Sequence, residues 1–279
     1  MSGYRRVAVI GLGVMGGSFA RALTASEAGP EVRGWSPDAE ERHAALFSGA
    51  VVSAPKDWRE AVHDADLVVL ATPLRSACRL ISDLADDPAP QDATIMDVSS
   101  LKAPIVRAAE AAGVSHRFVG AHPMAGSEAS GFFASRPDLF SGSLVWIVAD
   151  SEAQAHTDRV EALWSALGAE PERTTTASHD RLMSLVSHLP QLTANGLAAV
   201  LNGSGITPRD LGPGGKDMTR LAASNPVMWE GLLDEAHPDL VHGLRALAEH
   251  LADIADRLEG GDVASVVSKM KTTRNWTSE

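Results

Sequence analysis

Residues 118–128, FVGAHPMAGSE, hold the groups best placed for chemistry. A β-rich pair, Phe118 and Val119, leads to His122, and Pro123 stops any continuation of a strand. A turn of small residues follows, then Ser127 and Glu128. In an open α/β sheet the carboxyl ends of strands face the ligand crevice. His122 is therefore expected where the reactive ring of a bound cofactor would lie, and an imidazole there can take a proton at neutral pH.

Far upstream, Gly11-Leu12-Gly13-Val14-Met15-Gly16 follows an apolar run and opens a helical pattern. Gly11 permits a tight turn, Gly13 lets backbone approach a pyrophosphate, and Gly16 lets helix and strand pack closely. The helix start at Val14 and Met15 offers N–H groups and a positive dipole end to phosphate. Strand, turn and helix in this order are the context that the fingerprint requires. A Gly-rich turn without a ligand is the bland alternative. The acidic residue expected about twenty positions further on is missing, and Ser36 stands there. Serine can donate to a 2′-phosphate, and Arg33 or Arg42 could add charge, which tilts the cofactor towards NADP. With Asp38 or Glu40 substituting, NAD would be used. Thr72 and Pro73, and further on Ser99, fall at strand ends and are assigned to the cofactor.

These groups need elements to position them. Buried-strand patterns occur at residues 7–10, 31–35, 67–71, 94–98, 118–121 and 144–148, mostly with helical patterns between them. The helix after the glycines is expected over 17–25. A last helix and strand are expected over 157–167 and 172–175. Alternation of this kind predicts a doubly wound parallel sheet. After about Thr176 strand signals fade. The helical pattern over 179–201 contains Pro190, which predicts a kink near 186–190. Residues 202–215 read as a loop, and from Asn225 the chain is mostly helical. Leu240, Leu244, Leu247, Leu251, Ile254 and Leu258 alternate in steps of four and three, forming a seam on one helix face. That seam serves either as domain core or as a subunit interface that would make a homodimer. The expectation is an α/β chain: a Rossmann-type, doubly wound N-terminal domain over 1–176, then an all-α domain over 177–279.

Composition narrows the partners. The 279 residues carry a net charge of −12, which argues against nucleic acid or an anionic membrane as the main partner. A small anionic substrate would then need local Arg or Lys groups. Cys78 is the only cysteine, so neither a disulfide nor a CxxC metal site is expected, and no carboxylate–histidine spacing suggests another metal site. No apolar run reaches the roughly 18 residues needed to span a bilayer. The N-terminus lacks a signal-peptide pattern, so the cytoplasm is the expected compartment.

Three further segments complete the set. They are Asp97-Val98-Ser99-Ser100-Leu101-Lys102, Ser187-His188-Leu189-Pro190-Gln191, and Lys216-Asp217-Met218-Thr219-Arg220 ahead of Asn225-Pro226-Val227-Met228-Trp229. Together with the glycine turn and HPMAGSE, in this order, they make the chain resemble the prephenate/arogenate dehydrogenase family of tyrosine biosynthesis. The resemblance runs over nearly the whole length.

It implies oxidative decarboxylation of a cyclohexadienyl substrate, with hydride passing to NAD or NADP. His122 matches the family's catalytic base, and Ser100 the group that holds both imidazole and substrate hydroxyl. Arg220 matches the arginine that binds substrate carboxylate, a task suited to its planar fork. Asp217 and Trp229 match residues that orient this arginine. Ser127 and Glu128 match a loop lining or gating the site, and Ser187 and His188 match positions near cofactor and substrate. Aromatisation supplies much of the driving force, so the protein needs chiefly proximity and a correctly protonated base.

Plainer roles compete: Ser100 as N-cap of a helix starting near Pro104, His188 as a packed core histidine, Arg220 as a surface charge. Flanking Asp217 and Trp229 favour a fixed, partly buried guanidinium. Two positions depart from the family pattern. Gln191 replaces a histidine associated with the substrate's side-chain carboxylate, and Gly215 replaces an aromatic residue. Both bear on substrate choice among prephenate, arogenate and a 4-amino-4-deoxy analogue. The chain ends soon after the helical pattern, so neither a regulatory ACT domain nor a chorismate mutase is expected. A β-hydroxyacid dehydrogenase would carry a lysine where the helix after Thr176 carries His188. A non-catalytic NAD(P)-binding sensor would not need His122, Ser100 and Arg220 together.

Overall fold

Short apolar and β-branched runs form seven strands joined by helices in this computed structural model, which describes residues 3–25, 29–86, 90–127 and 129–276. The order begins β1 (Arg6–Ile10), α1 (Val14–Thr24), β2 (Glu31–Trp35), α2 (Ala39–Phe47), α3 (Trp58–Val62), β3 (Leu67–Leu70) and α4 (Leu74–Asp86). It continues with β4 (Thr94–Asp97), α5 (Ala103–Ala111), β5 (Phe118–Pro123), β6 (Leu144–Ala149), α6 (Gln154–Ala166), β7 (Glu170–Arg173) and α7 (Thr176–Met183). One sheet holds all seven strands in the order β2-β1-β3-β4-β5-β6-β7.

Period-two alternation sorts the strand residues between two apolar layers. Val7, Val9, Leu67 and Val69 face one layer with Phe19 and Trp164. Ala8, Ile10, Val68 and Leu70 face the other with Ile81 and Ile105. A strand covered on both faces reads as a continuous apolar run, as these do.

The parallel sheet expected from the sequence needs one correction. β6 pairs antiparallel with β5, with His122 opposite Trp146 and Pro123 opposite Val145, while the other pairings are parallel. A parallel return needs a long crossover, usually a helix. Between Pro123 and Leu144 the only helical turn among the described residues is the short Phe132–Ala134. β6 therefore runs back beside β5. Two smaller differences are local: α1 starts at Val14, directly after Gly13, and β7 precedes the expected strand by two residues at each end.

The chain divides into two compact units, Met1–Met183 with Ser224–Glu235, and Ser184–Ala223 with Ala236–Glu279. The division differs from a break after residue 176. α7 stays with the sheet unit because Asp180 accepts the backbone N–H groups of Lys102 and Ala103. The segment Ser224–Glu235 also returns to that unit: Leu232 is buried against the second apolar layer, and Trp229 packs on it.

The second unit opens on a π-helical turn, Ser184–His188, followed by α8 (Leu189–Gly203). This wide turn occupies the place of the expected kink. Pro190 sits in the first turn of α8, lacks an N–H and crowds the preceding turn. The expected loop over 202–215 is shortened by α9 (Pro213–Thr219), which has proline at its start. Further on, α10 (Pro226–Leu233) belongs to the first unit, and α11 (Asp239–Glu259) and α12 (Val263–Trp276) to the second. The α11 seam is only partly used within the chain. Leu240 is buried, whereas Leu251 and Leu258 are 57% and 53% exposed.

Candidate active site

The glycine turn is shaped by what lies behind it. Gly11 has φ +102°, and a Cβ there would stand 2.4 Å from the Ala71 carbonyl oxygen. A Cβ on Gly16 would overlap the Gly11 carbonyl at 1.8 Å. Beside Gly13, by contrast, a Cβ would meet nothing within 4 Å, and α1 starts there without a side-chain cap. The first N–H groups of α1 thus have no side-chain acceptor from Gly13, as an anion-binding helix start requires. Val14 and Met15 pack against the apolar layer, so only their backbone is offered to a ligand.

A cavity of about 600 Å³ opens at this turn. Gly11, Gly13, Ser36, Thr72 and Pro73 line it, together with Trp35, Trp58, Asp38, Glu41, Arg79 and Asp83. The hydroxyl oxygens of Thr72 and Ser99 are buried and have no hydrogen-bond partner among the described residues. They lie just beyond β3 and β4, so two polar groups at neighbouring strand ends await a ligand. Glycine turn, cavity and orphaned hydroxyls fit a dinucleotide.

Ser36 does not stand as expected. It is buried, and its hydroxyl donates to Glu41 Oε2 at 2.5 Å while accepting from the Asp38 N–H at 3.2 Å. Arg33 is held by Glu31 at 2.8 Å and Asp64 at 2.9 Å, and Arg42 donates to the Ser36 carbonyl at 2.5 Å. None of the three is poised for a phosphate. The acidic residues that line the cavity just beyond β2 are Asp38 and Glu41.

His122 lies near the end of β5 on the same strand face as Gly120, since side chains alternate. Its Nδ1 is 2.9 Å from His179 Nε2, and the rings meet edge to face with centroids 5.1 Å apart. His179 Nδ1 is in turn 2.7 Å from Asp180 Oδ1. Both residues are buried. Burial raises the Asp180 pKa, but the His179 bond and the N–H groups of Lys102 and Ala103 outweigh it, so the net shift is downward. A depressed folded-state pKa stabilises the protein above the unfolded carboxylate value. That contribution fades as pH falls through the lower folded value.

Beneath this chain lies a fully buried ion pair. Lys102 Nζ donates to Asp97 Oδ1 and Oδ2 at 2.8 and 2.7 Å and to the Ala121 carbonyl at 2.8 Å. All three ammonium protons have acceptors, which makes burial tolerable. Burial lowers the Lys102 pKa, and Asp97 opposes that shift. Gly120 leaves room, since a Cβ there would meet the Lys102 side chain at 3.0 Å. Lys102, His179 and Asp180 escaped the reading of the sequence. The signals available were the lysine one turn after a strand-end aspartate and the adjacent His-Asp ahead of Ser187-His188.

The remaining candidates divide between the units. In the first, Ser100 is half-buried and is not the N-cap of α5, which is Lys102. The ring bonded to His122 is His179 rather than a hydroxyl of Ser100. Ser127 is exposed and accepts from the Ala129 N–H, Trp229 packs on the apolar layer, and Glu128 lies outside the described residues. In the second unit His188 is buried in the π turn. Gln191 is buried too, its amide donating to Asn195 Oδ1 at 2.8 Å and to the Leu221 carbonyl at 2.7 Å. That ties α8 to the turn Arg220–Ala223. Asp217 and Arg220 are exposed, in contrast to the partial burial expected for Arg220. The short elements that carry them bury none of their residues. Among the described residues no cluster of three or more metal-ligating side chains occurs, and no helix is long and apolar enough to cross a membrane.

Comparison with known proteins adds the following. Residues 19–172 match the family model described as prephenate dehydrogenase, nucleotide-binding domain, and residues 175–272 match prephenate dehydrogenase, dimerization domain. The chain is 30% identical over 262 residues to the cyclohexadienyl dehydrogenase of Zymomonas mobilis, covering 91% of this chain and 87% of that protein. It is 26% identical over 276 residues to the prephenate dehydrogenase of Bacillus subtilis, covering 97% and 74%. The crystal structure of Aquifex aeolicus prephenate dehydrogenase in complex with hydroxyphenyl propionate and NAD+ superposes with a TM-score of 0.87 at 28% identity, covering 97% and 96%.

The ion pair yields a test. Lys102→Met leaves Asp97 buried without its counter-ion and is expected to lower stability by about 3–5 kcal/mol. Urea denaturation measures this, and an unchanged midpoint would show that the pair is not needed.

Proposed function

Because the chain belongs to the prephenate dehydrogenase family, we propose that the residues gathered at the ends of β3, β4 and β5 carry its chemistry. The chain is an NAD(P)-dependent oxidoreductase that converts prephenate to 4-hydroxyphenylpyruvate and CO2. The observation behind the site assignment is His122, held through Nδ1 at the end of β5, next in the sheet to β4 and then β3, where the hydroxyls of Ser99 and Thr72 have no partner among the described residues.

When bound, the dinucleotide supplies a hydride acceptor. His122 takes the proton of the substrate's ring hydroxyl as the carbinol carbon is oxidised. The C–C bond to the ring carboxylate then breaks, CO2 leaves, and its electron pair enters the ring. The phenolate oxygen so formed recovers the proton from His122, which balances the reaction. Ser100, three residues beyond Asp97 at the end of β4, is the hydroxyl that would hold the substrate's ring hydroxyl. The family pattern gives Arg220 the task of pairing with the ring carboxylate, which suits its planar fork. Gln191 is neutral, and its amide protons are engaged by Asn195 and Leu221, so it does not replace the charge of a histidine at that position.

The cofactor is NAD. Glu41 faces the cavity with Asp38 and Asp83, against the single cation Arg79 among its lining residues. A carboxylate accepts hydrogen bonds from a ribose diol and repels a 2′-phosphate. Thus Glu41, from the first turn of α2, does what an acid at position 36 would do. The protein is a homodimer through the helical unit. Support comes from the family's dimerization domain and from the α11 seam, where Leu251 and Leu258 remain exposed in the single chain.

Three measurements test these readings. His122→Asn is expected to cut turnover roughly 10²–10⁴-fold with NAD affinity nearly intact; equal turnover would remove His122 from the mechanism. Glu41→Ala should reduce the NAD:NADP ratio of kcat/KM on the order of tenfold, and an unmoved ratio would place 2′ recognition elsewhere. Sedimentation should give twice the chain mass for the parent and the single mass for Leu251→Asp/Leu258→Asp. A dimeric variant would put the interface on another face.

A further inference from the structure

We propose that His179 and Asp180 are positioning residues that fix the tautomer of His122 and stabilise its charged form. This rests on the reading of His122 as the base. Asp180 Oδ1 lies 2.7 Å from His179 Nδ1, and an ionised carboxylate only accepts. His179 Nδ1 therefore carries the proton. In the neutral ring Nε2 is then an acceptor. The atom 2.9 Å from it, His122 Nδ1, must be the donor. That leaves Nε2 as the acceptor nitrogen of neutral His122, the atom that takes the substrate proton.

The same chain acts after proton transfer. An imidazolium at His122 keeps its Nδ1–H on His179 Nε2, whose ring, polarised by its own bond to Asp180, stabilises the positive charge without a further proton transfer. The burial of His179 and Asp180 strengthens both contacts by excluding water. Asp180 is itself fixed, its two oxygens accepting the Lys102 and Ala103 N–H groups at 2.8 and 2.7 Å. Among the described residues, the Asp97–Lys102 pair is bonded to the Ala121 carbonyl next to His122 in the chain, and Arg181, which follows Asp180 on α7, is exposed. The arrangement has the logic of an acid–histidine pair orienting a base, extended by one imidazole. Neither residue touches substrate, so neither is catalytic in the strict sense.

The experiment combines kinetics with ¹⁵N NMR of the histidine rings in the full-length protein. In the parent, His122 is expected as the Nδ1–H tautomer. His179→Ala should lose kcat on the order of 10–100-fold, keep the KM for NAD, and mix the His122 tautomers. The acid limb of its kcat/KM profile should move to lower pH, because the imidazolium loses its support. His179→Gln should recover most of the rate, since its amide can accept from His122 and donate to Asp180. Should His179→Ala not fold, His179→Gln and the parent spectrum still decide. An Nε2–H tautomer in the parent overturns the proposal. So do variants that change thermal stability while leaving the pH profile in place. The tautomer reading does not need turnover, so it stands apart from a failure of the substrate assignment.

Discussion

The site depends on one buried cation. The Lys102 ammonium joins the Asp97 carboxylate at the end of β4 to the Ala121 carbonyl on β5. Its own backbone N–H and that of Ala103 hold Asp180 on α7. Two strand ends, the start of α5 and a helix far along the chain are thereby fixed to each other. A charge so deep is sustained only by full hydrogen bonding. Gly120 keeps β5 free of a side chain where the lysine passes. The positions of His179 and His122 follow from this arrangement.

A neighbouring constraint shapes the nucleotide end. Gly11 and Gly16 are forced by backbone close behind them, whereas Gly13 faces open space. Beyond β2 the chain has exchanged the usual strand-end acid for a serine that is bonded to an acid from the next helix. That acid, Glu41, is among the residues lining the cavity. Five positions along the chain separate Ser36 from Glu41, but one helical turn closes that gap in space.

The helical unit follows a different logic. Within one chain, α11 buries its first leucine and leaves later members of the seam uncovered. Gln191, at a position where the family pattern has a histidine, is tied to the turn that begins with Arg220.

The alternation of strand and helix patterns was legible in the residues alone, because period-two burial and the glycine turn are local signals. So was the break ahead of Pro190, since proline acts on its own turn. The placing of His122 at a strand end was likewise local. The direction of β6 was not: among the described residues between 123 and 144 the only helical turn is the short Phe132–Ala134, too little for a crossover, in a stretch whose composition is neutral on that point. Nor were the partners of His122. His179 lies 57 residues from it and Asp180 lies 78 from Lys102, and no periodicity encodes contacts of that range. The residue type of Ser36 permits a phosphate donor. Packing of α2 against β2 gave its hydroxyl to Glu41 instead. Residue types set which chemistry the chain can perform, and the folded backbone decides which of those groups meet.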